Sequence, residues 1–178
     1  TLITTMLLFI LNKIHFSYNF LIIIFTFISY AIIGFIDDFL IIKRNNNNGL
    51  SEKAKLILQT IVAIIFFYLF MKAGNEPLIW IHTLGIKWHI GWFYGVFILF
   101  ILVASSNAVN LTDGLDGLAT GLSFLAFITF GIICFNTGWL EGYIEMALFC
   151  FILAGSLLGF LVFNVSPAKV FMGDTGSL

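Results

Sequence analysis

The sequence predicts an all-α fold, a polytopic transmembrane helix bundle with a small β-hairpin on its non-cytoplasmic side. Three observations predict it. Hydrophobic residues make up 61% of the 178 and charged residues only 10%, with a mean hydropathy of +1.09. A soluble domain of this size needs roughly 25% charged residues to cover its surface, so the solvent for most of this one is lipid. Apolar segments of spanning length recur along the chain, and one connection between them shows a two-residue alternation instead.

A membrane helix needs about 20 mostly apolar residues. Six segments are candidates: a shortened Thr1–Leu11, then Phe20–Ile36, Leu56–Met71, Gly91–Ala104, Leu118–Phe135 and Met146–Phe163. They must be helices, because an unpaired backbone amide in hydrocarbon costs several kcal/mol. The chain opens inside an apolar stretch at Thr1 and stops at Leu178 just after a Gly-rich polar turn. The expectation is one transmembrane catalytic domain over residues 1–178, cut at both ends. Asn45–Asn48 with Gly49 reads as a solvated turn, Ser51 as an N-cap, and Glu52 as an acid in the first turn of the next helix.

The parity of the spans assigns their connections to faces. Asp37–Lys55, Ser105–Gly117 and Asn164–Gly176 are separated by two spans each time and share one face. Asn12–Asn19, Lys72–Ile90 and Asn136–Glu145 lie on the other. The first face holds Lys43, Arg44, Lys53, Lys55 and Lys169; the second holds Lys13, Lys72 and Lys87. That bias makes the first face cytoplasmic. Every Asp of the chain (Asp37, Asp38, Asp113, Asp116 and Asp174) falls on the first face or at its membrane border. The orientation rule reads Lys and Arg, so this gathering of acids points to a polar site at the membrane–cytoplasm boundary.

The outer connection is different. Leu78, Trp80 and His82 alternate with Ile79 and Ile81, and after Thr83-Leu84-Gly85 the pattern resumes through Ile86, Trp88 and Ile90. This predicts a hairpin at the interface, with Trp80, Trp88 and Trp92 as anchors. His15, His82 and His89 read as interfacial side chains, and no His/Cys spacing suits zinc. Cys134 and Cys150 lie in apolar runs and read as small buried hydrophobes. A net charge of −1 offers no bulk attraction to nucleic acid.

Three strings carry chemistry. In Gly34-Phe35-Ile36-Asp37-Asp38 two adjacent carboxylates end a membrane helix. They repel, and a divalent cation or a nearby Lys would relieve them; a plain polar helix end is the alternative. In Ser105–Gly117, Asn107, Asn110, Asp113 and Asp116 recur every three residues. On a helix end or 3₁₀ turn this lines one side with amides and carboxylates suited to a sugar or a base; a long polar turn is the alternative. In Asn164–Ser177, the run Gly173-Asp174-Thr175-Gly176 predicts a tight turn opening a helix, with N–H groups that suit phosphate and Lys169 nearby. Hard carboxylates beside phosphate favour Mg²⁺. The residues alone therefore predict a cytoplasm-facing, Mg²⁺-dependent site for a phosphorylated ligand, set against the bilayer. An ion transporter or channel is the rival reading, and it would place acids in mid-span, where this chain has none.

Together, Asp37-Asp38, Asn110-x-x-Asp113-Gly-x-Asp116-Gly and Phe171-Met172-Gly173-Asp174 resemble, in order, the motifs of the polyprenyl-phosphate N-acetylhexosamine-1-phosphate transferase family. The resemblance covers essentially the whole chain as a central slice of a longer bundle. Within the family, Asn107–Gly117, Lys169–Ser177 and the outer hairpin are most similar to the branch that moves phospho-MurNAc-pentapeptide from its UDP carrier to undecaprenyl phosphate and releases UMP. UDP-GlcNAc with a polyprenyl phosphate is the alternative. The resemblance implies Mg²⁺ as cofactor, with Asp174 as its ligand. It implies Asp37 as a base on the lipid phosphate, or as a nucleophile, and Asp38 as support for the metal–phosphate site. Asn110 and Asp113 would line the nucleotide–sugar site, with Asn107 and Gly173 as further substrate-binding positions. Asp116 would contact uracil and Phe171 would stack on it. Asn164 stands where the family has a polar active-site residue. Lys55 matches the family's Lys after the Asp pair, with Lys53 the weaker candidate. The family's His-rich cytoplasmic motif would fall beyond Leu178. An inner-membrane location with a cytoplasmic site is implied, and a homodimer is a further expectation.

Overall fold

A computed structural model describes residues 1–11, 17–44, 49–137 and 143–178. Lys13, His15 and the Asn45–Asn48 run lie outside the described residues, as do residues 138–142 of the Asn136–Glu145 connection and the His82 side chain. The elements run α1 (Leu2–Ile10), α2 (Tyr18–Arg44), α3 (Glu52–Lys72), β1 (Leu78–Ile81), β2 (Ile86–His89), α4 (Phe93–Thr112), α5 (Leu118–Thr137), α6 (Tyr143–Asn164) and α7 (Gly173–Ser177). Among the described residues five helices, α2 to α6, are long and apolar enough to cross a membrane. The nine residues of α1 rise only about 14 Å, half of a hydrocarbon core.

The helices overrun the apolar segments that announced them. Asp37 and Asp38 do not end α2, contrary to expectation; the helix continues about two turns to Arg44. Nothing in Phe39–Ile42 breaks it, and Lys43 and Arg44 complement the negative C-terminal dipole. Its 27 residues rise about 40 Å. Likewise Ser105–Thr112 is the last two turns of α4 rather than part of a connection, which shrinks to residues 113–117. At the start of α3 the Ser51 hydroxyl accepts the Ala54 N–H at 3.3 Å, the expected N-cap.

Few side chains are buried, as suits helices that turn most of their surface to lipid. On α2 the buried positions Tyr30, Ile33, Gly34 and Asp37 recur at helical spacing and form one stripe. One apolar cluster joins α2 to α6 through Phe20, Phe149 and Leu153, with Phe149 edge-on to Phe20 and Phe27 at centroid distances of 5.8 and 5.5 Å. A second joins α2 to α3 through Tyr30, Ile33 and Val62, with Leu102 of α4 and Leu178 packed against it. Glycine lets the ring of a neighbouring helix approach at two places. A Cβ at Gly95 would lie 2.8 Å from Phe67, and one at Gly131 would lie 2.7 Å from Phe151.

The two ends of the bundle differ in chemistry. At one end, β1 and β2 pair antiparallel in the register Leu78↔His89 to Ile81↔Ile86, across a 3₁₀ turn at His82–Leu84. Lys87 lies opposite Trp80, and its Nζ sits 4.6 Å from the ring centroid. Trp80, Trp88 and Trp92 are all exposed, as interface anchors need to be. Near this end Asn19 and Asn75 exchange amide bonds of 2.7 and 3.4 Å, tying the start of α2 to the residues after α3. The opposite end gathers the C-terminus of α2, the start of α3, the C-terminus of α4, the start of α5, the end of α6 and α7. Thus the three connections that parity assigned to one face do share one end.

Candidate active site

Asp37 is 3% exposed, on the buried stripe of α2. Its Oδ1 accepts the Leu50 N–H at 2.6 Å and lies 3.3 Å from the Lys55 Nζ. Leu50 reaches it because Gly49 leaves room: a Cβ there would lie 2.5 Å from the Asp37 carboxylate. Lys55 stands in the first turn of α3 and also bonds Asp174 Oδ2, so its ammonium bridges two carboxylates from different elements. The neighbouring Lys53 is exposed and makes neither contact.

Asp174 stands in the first turn of α7. Asn110 Nδ2 donates to its Oδ1 at 2.9 Å and to the buried Ser177 Oγ at 2.8 Å. Burial pushes the Asp174 carboxyl up, but the hydrogen bonds from Lys55 and Asn110 and the Lys55 charge outweigh this and hold it below the usual carboxylate range. Asp113, the C-cap of α4, moves the other way. Burial raises it, the Asp174 and Asp38 charges raise it further, and a Gly173 N–H bond only partly offsets them.

Asp38 faces α7 rather than Lys55. Its Oδ1 accepts the Asp174 N–H at 3.1 Å; its Oδ2 accepts the Thr175 N–H at 2.9 Å and the Thr175 hydroxyl at 2.5 Å. The expected turn opening a helix is present, with Gly173 at φ +64°. The N–H groups of Asp174 and Thr175, however, point at a protein carboxylate. Asp37, Asp38 and Asp174 each place a carboxylate oxygen within 4.8 Å of the others. With the Lys55 ammonium drawn between two of them, the arrangement already solvates a positive charge, so the donor set fits a hard divalent cation.

The spacing of Asn107, Asn110, Asp113 and Asp116 does not produce one open, ligand-lined side. Asn107 Nδ2 donates to Gln59 Oε1 and to the Val103 carbonyl, both at 2.7 Å. Asn110 turns to α7, and Asp116 Oδ2 takes the Ala168 N–H at 3.0 Å. The reason is the longer α4: its last turns pack against α3 and α7, and only Asp113 and Asp116 lie beyond its end. Asn164 is 3% exposed and bonded on all sides. Its Oδ1 accepts Gly117 N–H at 3.2 Å and the Thr120 hydroxyl at 2.6 Å, and its Nδ2 donates to the Val170 carbonyl at 3.0 Å. Phe171 is 71% exposed, and Asp116 and Lys169 are exposed as well.

Three contributors were not anticipated. Gln59, the sole Gln of the chain, is fully buried and also donates to Ser106 Oγ at 3.3 Å. A lone amide in an apolar span costs free energy unless partnered, and that signal was available. Gly34 has no side chain where α7 crosses α2; a Cβ there would overlap the Asp174 carbonyl oxygen. Ser177 is buried, accepts from Asn110 and donates to the Gly173 carbonyl at 2.9 Å. Nothing local distinguishes these last two in the sequence.

A family model described as Glycosyl transferase family 4 matches residues 20–178. The chain belongs to glycosyl transferase family 4. Curated relatives match most of the chain. A protein of Geobacillus thermodenitrificans is 46% identical over 157 residues, 87% of this chain and 47% of its own length. One from Oceanobacillus iheyensis is 44% identical over 162 residues, 91% of this chain and 49% of its own. One from Listeria monocytogenes serotype 4b is 46% identical over 149 residues, 84% of this chain and 45% of its own. Each of these is described as phospho-N-acetylmuramoyl-pentapeptide-transferase. The chain thus spans about half the length of the curated relatives it matches. All the motif residues fall within the part that matches family 4.

Proposed function

We propose that this chain carries the catalytic core of an enzyme that transfers phospho-MurNAc-pentapeptide from its UDP carrier to undecaprenyl phosphate, forming a lipid-linked cell-wall precursor and UMP. The observation that carries the reading is the meeting of Asp37, Lys55, Asn110 and Asp174, from four separate elements, at one end of a membrane bundle. The relatives' shared description supports the donor.

In this reaction an oxygen of the lipid phosphate forms a bond to the phosphorus on the sugar side of the diphosphate, and the bond from that phosphorus to UMP breaks. Asp37 accepts the proton of the lipid phosphate, within reach of Lys55. Asp174, with Asp37 beside it, would hold Mg²⁺, which when bound neutralises diphosphate charge. Lys55 exchanges one carboxylate partner for a phosphate oxygen as the substrates enter. Asn110 holds Asp174 in place, and Asp113 and Asn107 line the nucleotide–sugar side. Phe171 stacks on uracil, with Asp116 at its edge. Asp38 supports the metal–phosphate site. This end of the bundle faces the cytoplasm, where a UDP-sugar is available, in the bacterial inner membrane.

The test is to supply the full-length protein, in detergent with Mg²⁺ and undecaprenyl phosphate, with UDP-MurNAc-pentapeptide or UDP-GlcNAc. Lipid-linked product should form from the first donor. Product from UDP-GlcNAc alone would move the protein to the other branch, and activity in excess chelator would remove the metal.

A further inference from the structure

The first amides of a helix have no partner within it. In α7 the residue before the helix, Met172, provides no side-chain cap. The partner comes from another helix, since Asp38 accepts both the Asp174 and Thr175 N–H groups and the Thr175 hydroxyl. The contact is shaped by glycine on both sides. A Cβ at Gly173 would lie 2.9 Å from the Asp38 carboxylate, and one at Gly34, a turn before Asp38 on the same helix, would overlap the Asp174 carbonyl. Asp38 thus pins the backbone of Asp174, while the Asp174 side chain turns to Lys55 and Asn110. A helix of five residues cannot hold itself in water, so its order must be borrowed from such contacts.

We propose that Asp38, seated by Gly34, is a positioning residue that docks α7 onto α2 and so aims Asp174 at Lys55, Asn110 and Asp37. This deepens the proposed reaction and rests on it for the role of Asp174. A carboxylate is needed because both oxygens are acceptors here. An amide in its place would turn an NH₂ toward an N–H.

The experiment uses the full-length protein in detergent without divalent cations. Hydrogen exchange at the Asp174 and Thr175 amides is read by mass spectrometry, and kcat and KM for the donor are then measured with Mg²⁺. Asp38→Asn and Gly34→Ala should each speed exchange at these amides by about tenfold or more. Turnover should fall in kcat, with donor KM changed less than about threefold, because the donor contacts stay in place. Thr175→Val, which removes only the hydroxyl contact, should give the same pattern more weakly. If Asp38→Asn loses turnover while exchange stays at the wild-type rate, Asp38 acts on a ligand directly and the proposal is overturned. Unchanged exchange in Gly34→Ala overturns it equally. If Asp38→Asn does not fold, Thr175→Val decides alone, and wild-type exchange there is the refuting result. Should the wild type turn over neither donor, the reaction is wrong, but the exchange data still decide whether Asp38 docks α7.

Discussion

Replacing Asn164 by Ala should weaken the site from beneath without touching a reacting group. The side chain is 3% exposed and makes three hydrogen bonds, to Gly117, Thr120 and Val170. Each is worth about 1 kcal/mol net, and the fully buried Thr120 hydroxyl would be left without this partner. The expected loss is therefore about 2–4 kcal/mol. These bonds join the start of α5, beside Asp116, to the loop that carries Phe171. Donor KM should rise more than kcat falls, because the parts proposed to grip the nucleotide loosen relative to each other. Thermal unfolding followed by intrinsic fluorescence gives the stability, and steady-state assays of lipid-linked product give the split. Thr120→Val should overlap with Asn164→Ala, with a coupling of about 1 kcal/mol in the double mutant. A loss below about 0.5 kcal/mol for Asn164→Ala, with strictly additive Thr120→Val, would refute this account.

Asp174→Asn should remove nearly all turnover and sharply weaken Mn²⁺ binding measured by electron paramagnetic resonance, because an amide is a poor ligand for a hard cation; an active variant with unchanged affinity would exclude Asp174 as the ligand. Gln59→Leu should cost about 1–3 kcal/mol, since buried Ser106 loses its donor while Asn107 keeps only its bond to the Val103 carbonyl. Its donor KM should also rise, as Asn107 is freed to rotate, and an unchanged KM would remove Asn107 from the nucleotide–sugar side. Single cysteines at Thr112 and Ala168 should react with impermeant thiol reagents only from the cytoplasmic side. Labelling from outside intact cells would invert the proposed orientation.

What the sequence disclosed depended on whether the signal was local. The spans were legible because lipid imposes a composition on every exposed helix face, and the hairpin because alternation is a two-residue pattern that Trp80 and Lys87 complete across the strands. Parity alone brought Asp37, Asn110 and Asp174 to one end. Helix ends were harder to place, because Asp37-Asp38 looks like a polar terminus yet belongs to a helix that runs on to Arg44. Polarity marks where lipid contact ends, not where the backbone stops coiling. The partners of each polar side chain were the least visible. That Asn164 joins Gly117 to Val170, or that Asp38 receives the start of α7, follows from how α2, α4 and α6 lie beside one another. No spacing along the chain encodes that.

The length of α2 also has a consequence for how the two proposed substrates would meet. From Tyr18 to Asp37 is 19 residues, a rise of about 29 Å, close to the thickness of the hydrocarbon layer. If Tyr18 sits at one boundary, the carboxylate pair comes level with the other, where a lipid's phosphate floats by virtue of its own tail. Phe39–Arg44 then stands as a collar among the headgroups. In the reaction proposed above, a polyprenyl phosphate would be confined to that plane and would have only to drift sideways to reach Asp37. The helix acts as a ruler, and the bilayer reduces a search through a volume to one across a sheet.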